Sequence, residues 1–486
     1  MATLNNVPFH KIVNGCYGRK IAYTDVDRIT VDNVVDVVNS QLDTFNFNKV
    51  ATQYLWNYFK GDQPAKYRKK EKASRDDICN RVVENHAYEI VQFKTAQTYG
   101  EPIQLISKRD DENINNAVDM INDMFNDVSK QSKDIKAGEW QSATGTSFKA
   151  VQFVEDGDIP FRIVCPTPLN TFVIYSRSTE EAMLSVQFMQ DADGTDYTMC
   201  FSDNMQFKIK GNELVDYRLH SFGDIPIVEY PNNWERISDI ELVIDLLDAI
   251  NNYQSNRVDS VEQFVSSWIK FVNCEIDEEQ FQKMKMMGAL VVKSNNGMDT
   301  KADVDVITQE LNQSETQVAK DDLWDNALSI LAIPNKEAQN SGGDSQGAVE
   351  LRAGWSFSKA RARFKDALVK SSEKKLTKII LNVLRISGFK LNITYRDFDV
   401  QISHSPTDNM VVKCQALQYL LQCGIHPLVA IQTVGLWGDA EKTYLISKPY
   451  LDAQWKTLDD VEREEQLKQS QELLEKFNSE KKNEVI

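Results

Sequence analysis

The hydrophobic pattern of this chain changes its period twice. Apolar residues recur at three-to-four spacing in the first 135 residues, as in 29–42, 78–98 and 114–128, which predicts helices. Between 147 and 230 the pattern alternates, and turn signals such as Asp193-Gly194 separate the runs, which predicts an antiparallel sheet or sandwich. Helical spacing then returns. This order of segments is that of an α+β protein.

A long helix is expected to leave the strand-rich region. Ser238 supplies an N-cap, with Glu241 three residues later, and the helical pattern runs to about residue 269. A second helix begins near Ser314 and ends before Pro334. The segment between them reads as a compact α/β insert. Two helices that bracket a small insert predict a stalk with a knob at its tip.

Residues 334–347 form a polar segment with three glycines, which predicts a mobile loop. Gly342 and Gly347 have the glycine spacing of a phosphate-binding P-loop. Ala348 and Val349 stand where that motif needs Lys and Ser or Thr, so nucleotide hydrolysis is not expected.

Residues 348–388 predict one very long helix, ended by Gly388. Its ten basic and three acidic residues give a net +7, which leaves −24 for the remainder of a chain whose formal net charge is −17. The cationic side either faces phosphates or pairs with acidic groups of the same chain or of a neighbouring subunit. We expect a buried apolar stripe on the other side, formed by Trp355, Phe364, Leu368, Leu376, Ile379 and Ile380.

The C-terminal region is predicted to contain a short strand pair at 392–395 and 399–403, followed by helices at 409–422, 427–433 and 440–445. Beyond Trp455 the chain is dense in charge, which predicts a solvated helix with a frayed end.

Neither catalysis nor a resident cofactor is expected. The five histidines are far apart, and no Ser, Cys or carboxylate stands in a nucleophile motif, so we predict no catalytic, cofactor-binding or metal-binding residue. Seven widely spaced cysteines without a CxxC pair favour reduced thiols in a cytoplasmic setting. No apolar run approaches the roughly 18 to 20 residues of a spanning helix, and the first residues lack a signal-peptide profile, so no membrane association is expected.

The order of these parts resembles the portal proteins of tailed double-stranded-DNA phages of the wing, stem, clip and crown type. The strongest resemblance lies in 225–252, which is similar to the start of the first stem helix in that family. Ser345-Gln346-Gly347-Ala348 partly matches the family's Ser-Gly-Ala step, with Gln346 as a departure. The resemblance covers about residues 50 to 450. Further matching positions are Tyr58-Phe59-Lys60-Gly61, Asn85, Ile90-Val91, and Lys94 through Tyr99-Gly100-Glu101-Pro102-Ile103.

The resemblance implies a phage portal fold with an α/β wing, a two-helix stem, a small α/β clip, a long tunnel-side helix and a mainly α-helical crown. On this mapping the wing takes 1–235 and becomes β-rich from about 146, and the long basic helix 348–388 also belongs to it. The stem helices take 236–270 and 313–333, and the clip takes 271–312 between them. The tunnel loop takes 334–347, and the crown with its charged tail takes 389–486.

The family's function is implied in the same way. The chain would be a non-enzymatic subunit of a ring of about twelve copies at one capsid vertex of the virion, assembled in the host cytoplasm. Double-stranded DNA would be packaged and ejected through the ring, bound weakly and without sequence preference. Further partners would be terminase, head-tail adaptor proteins, and capsid and scaffolding proteins.

The resemblance also implies functional positions. The tunnel loop would contact DNA through Asn335, Lys336, Gln339, Asn340, Ser341, Gly342 and Gly343. The clip would dock terminase and adaptors through Glu278, Glu279, Lys283, Lys285, Asn295 and Asn296. Electrostatic contacts between subunits would use Arg352, Lys359, Arg363 and Lys370.

Charge provides an independent argument for a conduit. A mostly acidic wall repels phosphates and lets a duplex slide, whereas a basic lining would hold it with a steep dependence on salt. Two alternatives stay open. A DNA-binding or processing enzyme would use helix 348–388 to bind DNA tightly, and another head-tail structural protein would form rings without a stalk and knob.

Overall fold

The computed structural model describes residues 4–69, 78–109, 111–155, 157–265, 268–272, 279, 303–307, 313–335, 354–403, 410–437 and 440–454. Contacts between residues divide the chain into two compact units, Met1–Ile402 and Ser403–Ile486. Both helices and sheets are present, and the predicted α+β class is confirmed.

The first unit begins with a largely helical segment. Its helices agree in type with the helical periodicity of the sequence, but α2 extends well beyond the predicted 29–42. These helices are α1 (Phe9–Ile12), α2 (Val34–Phe59), α3 (His86–Tyr99), α4 (Glu112–Asp127) and α5 (Lys130–Thr144).

A six-stranded sheet packs against α2, with the strand order β1-β5-β6-β7-β8-β9. Five of its strands form an antiparallel series, as the alternating pattern predicts, whereas β1 pairs in parallel with β5. Its buried side chains, among them Ile174, Val186 and Phe207, pack against Val34 and Phe45 of α2. The strands are β1 (Ala22–Thr24), β5 (Thr171–Ser176), β6 (Ala182–Gln190), β7 (Asp196–Phe201), β8 (Met205–Lys210) and β9 (Glu213–Leu219).

A second sheet has three antiparallel strands in the order β10-β3-β4. Its strands are β3 (Thr146–Phe153), β4 (Phe161–Val164) and β10 (Ile227–Pro231). The strand-rich region therefore forms two sheets. A short strand β2 (Gln104–Ser107) lies before α4.

Two packed helices follow the sheets. They are α6 (Ile244–Val265) and α7 (Gln313–Leu331), and Arg257 Nη1 of α6 donates to Gln317 Oε1 of α7 at 2.6 Å. Between them in the chain, β11 (Trp268–Val272) pairs antiparallel with β12 (Asp303–Ile307). Helices thus lie where the stem is predicted, on either side of a strand pair. The assignment of these segments to stem and clip stays a prediction.

The long basic helix is observed as α8 (Trp355–Ile386), which packs on the three-stranded sheet. Leu376, Ile379 and Ile380 are buried, as predicted for its apolar stripe. Phe364 is 78% exposed, so its predicted burial is wrong for the isolated chain. The first turns of α8 bury Ser358 and Ala362 on the same face that later buries Leu376 and Ile380, and Phe364 lies off this face.

The predicted local strand pair after α8 is also wrong. A strand β13 forms at Phe398–Gln401, but it pairs antiparallel with β2, almost three hundred residues earlier. The first compact unit ends at Ile402 and so includes β13, and the assignment of 389–486 to the crown stays a prediction. Local alternation indicated the strand but carried no information about its distant partner.

In the second unit, three helices begin within one residue of their predicted starts, and the last extends well beyond its predicted end at 445: α9 (Met410–Gln422), α10 (Pro427–Val434) and α11 (Ala440–Gln454). His426 caps α10, since its Nδ1 accepts a hydrogen bond from the Leu428 amide at 3.3 Å. The charged tail beyond Trp455 lies outside the described residues.

Candidate functional site

Most of the predicted contact residues lie outside the described parts of the chain. In the predicted tunnel loop, Asn335 is described, and its Nδ2 donates to Asp325 Oδ1 at 2.9 Å. In the predicted clip, Glu279 is described and is exposed. The predicted residues outside the described ranges are Lys336, Gln339, Asn340, Ser341, Gly342, Gly343, Glu278, Lys283, Lys285, Asn295, Asn296 and Arg352.

The root of the predicted loop is the end of α7, where two cations meet backbone carbonyls. Lys94 Nζ of α3 donates to the Leu331 carbonyl, and Arg361 Nη1 of α8 donates to the Ile330 carbonyl, each at 2.5 Å. Ala332 then takes a positive φ of 54° and ends the helix. The last carbonyls of a helix lack intrahelical partners and carry partial negative charge, so these cations stabilise the terminus.

A third cation, Lys365, lies in the same region. Its Nζ is buried, with no hydrogen-bond partner among the described residues. Burial lowers the pKa of Lys365 to about 8, although Asp239 opposes the shift. Burial likewise lowers the pKa of Lys94. The root of the loop is therefore a desolvated, positively charged junction of α3, α7 and α8.

The predicted cationic side of α8 divides into two halves. In the C-terminal half, Lys374 Nζ lies 2.6 Å from Asp399 Oδ1, and Lys378 Nζ lies 2.8 Å from Asp224 Oδ2. In the N-terminal half, Arg363 is exposed, and Lys359 and Lys370 are partly exposed. The later cations thus pair with acidic groups of the same chain, as one of the two alternatives expects. The role of the earlier ones between subunits stays a prediction.

A buried ion quartet attaches α8 to the three-stranded sheet. Glu373 Oε1 of α8 lies 2.6 Å from Lys149 Nζ of β3, and its Oε2 lies 3.1 Å from Lys130 Nζ. Asp134 pairs with both lysines. All four side chains are at most 3% exposed. Two cations thus meet two anions, which is the condition under which charges can be buried without a prohibitive desolvation cost.

The charges within the quartet shift the pKa values of its own members. Burial by itself raises the pKa of Glu373, but the ammonium groups of Lys130 and Lys149 outweigh it and lower the pKa to about 2. For Lys149, burial acts to lower the pKa, and the two carboxylates raise it above its usual value. Sequence reasoning missed this site. Lys149, a lysine at an inner position of the strand Thr146–Phe153, is the signal that could have indicated it.

The junction between the sheet and α6 carries a second buried pair. Arg236 Nε donates to Glu229 Oε1 at 2.7 Å, while the Tyr175 hydroxyl donates to Glu229 Oε2 at 2.5 Å. Burial raises the pKa of Glu229, but Arg236 outweighs it and lowers the pKa. The Gly145 backbone fits closely here, because a Cβ on it would lie 1.9 Å from the Arg236 carbonyl oxygen. The direction in which the chain leaves the sheet is thereby constrained.

The predicted capping residues contact each other in the segment that precedes α6. The Ser238 amide donates to Glu241 Oε2 at 2.7 Å, and the Ile240 amide donates to Ser238 Oγ at 3.0 Å. Regular α-helix begins later than this cap, at Ile244. Arg19, from the N-terminal segment, pairs with Glu241 and is almost fully buried with it. The cap is thus tied to residues more than two hundred positions earlier.

Another titratable group lies on α6. Asp248 accepts a hydrogen bond from the Tyr58 hydroxyl at 2.9 Å. Burial raises the pKa of Asp248 to about 7, and the hydrogen bond from Tyr58 opposes that shift. The carboxyl group therefore titrates near neutral pH.

Metal clusters and membrane-spanning helices are both absent from the described residues. No group of three or more His, Cys, Asp or Glu side chains in these residues is placed to hold a metal ion. None of the described helices combines the length and the apolar character needed to cross a membrane.

The chain is similar to known proteins over most of its length. Residues 48–426 match the family described as phage portal protein, SPP1 Gp6-like. The portal protein of Bacillus phage SPP1 is 24% identical over 189 residues, which cover 36% of this chain and 35% of that relative. The chain therefore spans about a third of the length of the curated relative that it matches.

Two solved structures are also similar. They are the neck of an empty GTA particle computed with C6 symmetry and the virion of a native gene transfer agent particle. Each matched chain is 10% identical to this one, and the match covers 73% of this chain and 90% of the other chain. The TM-scores are 0.45 and 0.44.

Proposed function

The chain belongs to the SPP1 Gp6-like family of phage portal proteins, and from this we propose that it is the structural subunit of a ring-shaped channel at one vertex of a phage capsid. Double-stranded DNA enters the capsid through this ring during packaging and leaves through it on ejection. The subunit performs no catalysis. Its place is the portal vertex of the virion, after assembly in the host cytoplasm.

The observation that carries the proposal is the match of residues 48–426 to the family, a range that includes the packed helices α6 and α7 and the strand pair between them. In the proposed subunit, 236–270 and 313–333 are the stem, and 271–312 is the clip. The wing takes 1–235 with 348–388, the tunnel loop takes 334–347, and the crown takes 389–486.

Charge supports a channel rather than a tight DNA binder. The chain carries a net charge of −17, and a polyanion slides past an acidic wall with little retention. Lys374 and Lys378, which a DNA-binding enzyme would use on α8, pair instead with Asp399 and Asp224. The DNA contacts of the proposed portal come from the loop 334–347 and are weak and independent of sequence.

The proposed subunit has the partners of a portal. It assembles with about eleven further copies of itself and with capsid and scaffolding proteins. Its clip docks terminase during packaging and head-tail adaptor proteins afterwards, and the exposed Glu279 is one proposed contact.

Cryo-imaging combined with sedimentation of the purified chain tests the proposal. We expect closed rings with a central channel. A protein that stays monomeric at every concentration, or that binds DNA tightly as a monomer or dimer, would contradict the portal function and favour a DNA-binding enzyme.

A further inference from the structure

The first turns of α8 present aromatic side chains at the surface. Phe357 and Phe364 are seven residues apart, hence on one helix face, and are 60% and 78% exposed. Arg361 lies between them on that face and donates to the Ile330 carbonyl. Ile330 itself is 42% exposed. We call these four residues the aromatic patch.

The aromatic patch is unusual for a solvated surface. Later in α8 the apolar stripe is buried, as Leu376 and Ile380 show. Clustered exposed aromatics together with arginine are enriched at the cores of protein interfaces, and exposed apolar patches mark contact surfaces. A partner that covers the patch removes this apolar area from water.

The surroundings of the aromatic patch are cationic. From Trp355 to Lys370 the helix contains five basic residues and one acidic residue. Arg363, next to Phe364, is exposed and has no hydrogen-bond or ion-pair partner within the described residues. The partner is therefore expected to present an apolar centre with carboxylates around it.

One face of α7 has this composition. Glu315, Val318, Asp322 and Asp325 follow each other at spacings of three or four, so they share a face, and all four are exposed. Val318 is 69% exposed at its centre. Lys320 is the single basic residue of α7, and its Nζ forms an ion pair with Glu84 Oε1 at 2.8 Å. We call these four residues the acidic patch.

We propose that the aromatic patch of one copy docks on the acidic patch of the next copy, with Phe364 against Val318 and Arg363 against Asp322. Val318, at the centre of the acidic patch, and Ile330, of the aromatic patch, are twelve residues apart on α7, about 18 Å along the helix, so the proposed contact pairs two different parts of the chain. A contact between two different surfaces repeats from copy to copy and closes a ring when the rotation allows. The inference rests on the proposed function and names the contact that would build its ring.

A charge swap tests this interface by light scattering of the full chain. Arg363→Glu alone and Asp322→Arg alone should each raise the concentration needed for ring formation at least tenfold. The double variant should restore rings at concentrations close to wild type, because the pair is re-formed with reversed charges. Lys136→Glu, an exposed reversal on α5, is the matched control and should leave assembly unchanged.

The outcomes distinguish a failure of the proposed interface from a failure of the proposed function. Wild-type rings together with unaffected single variants would overturn the interface and leave the portal function standing. Single variants that dissociate without rescue in the double variant would overturn the pairing of Arg363 with Asp322. A wild-type chain that never forms rings would overturn the portal function and this interface with it.

A photo-cross-linker at position 364 provides a second measurement. In a mixture of isotopically labelled and unlabelled copies, benzoylphenylalanine at this position should cross-link to α7 of a different copy. Cross-links within one copy, for instance to 336–353, or to any other surface of a second copy, would overturn the proposal.

Discussion

Lys149 Nζ of β3 lies 2.6 Å from Glu373 Oε1 of α8, across a separation of 224 residues, where neither side chain is more than 1% exposed. The rings of Tyr99 and Tyr230 cover the same ammonium group, with centroids at 5.5 and 4.3 Å. The pair joins the longest described helix to the middle of a sheet. Together with the apolar contacts of Leu376 and Ile380, it attaches α8 to the sheet.

We expect Glu373→Gln to destabilise the chain by about 3 to 5 kcal/mol, because Asp134 would be left as the single carboxylate for two buried ammonium groups. Urea unfolding measures this change. Lys374→Gln, one residue further along α8, removes a partly exposed ion pair with Asp399 and should cost about 1 kcal/mol or less. Equal effects of the two variants would contradict the assigned importance of the quartet.

The same carboxylate predicts a loss of stability in acid. The folded-state pKa of Glu373 is about 2, below the roughly 4.3 of an unfolded Glu, so its contribution is present above about pH 4.3 and is lost as the pH falls toward 2. Urea unfolding between pH 5 and 2.5 should show a shallower decline for Glu373→Gln than for wild type. Parallel declines would contradict this assignment.

The raised pKa of Asp248 predicts the opposite dependence of stability on pH. Its folded-state pKa of about 7 lies above the roughly 3.9 of an unfolded Asp. The stability that the neutral carboxyl group contributes to the fold is therefore present below about pH 4 and is lost as the pH rises through 7. Asp248→Asn keeps an acceptor for the Tyr58 hydroxyl and should be about 1 to 3 kcal/mol more stable than wild type at pH 8. At pH 4 the variant and the wild type should be similar in stability. Thermal unfolding of both proteins at pH 4 and pH 8 measures the difference. Asp123→Asn, at an exposed position of α4, should show no such divergence.

Lys94→Met should loosen the end of α7. The Leu331 carbonyl loses its cationic donor, which costs about 1 kcal/mol locally and should speed hydrogen exchange of the Ala332 and Ile333 amides about fivefold. Mass spectrometry of the peptide that spans these residues measures it. Lys390→Met removes an exposed lysine and should leave that peptide unchanged. Unchanged exchange in Lys94→Met would contradict a stabilising role of this contact.

Deletion of 340–346 should leave rings intact and impair DNA packaging or retention, because the proposed tunnel loop loses its polar contacts while the stem and wing are retained. Particle imaging gives the first readout, and protection of packaged DNA from nuclease gives the second. Normal packaging by intact rings would remove the assignment of 334–347 to the channel.

Much of the architecture could be predicted from local signals. Alternation between 147 and 230 predicted the strand-rich region, and helical spacing predicted α6, α7 and α9. Ser238 and Glu241 were predicted as a cap from their spacing, and the Glu241 side chain does accept a hydrogen bond from the Ser238 amide. Each of these features depends on residues close together in the chain. The predicted contact residues for DNA, terminase and neighbouring subunits stay predictions.

The remaining features depend on partners far apart in the chain. Glu373 counts in the sequence as one acid in a basic helix, and its role appears when α8 places it against Lys130 and Lys149. The residues of Phe398–Gln401 indicated a strand, but they did not indicate its pairing with Gln104–Ser107. Phe364 was predicted to lie in the buried stripe of α8, yet it lies at the surface. By itself the sequence determined the period of each segment, its charge and its family, because these are properties of short stretches and of their order. The tertiary structure alone decided which distant segments share a sheet, a buried charge or an exposed face, because burial depends on how whole elements pack.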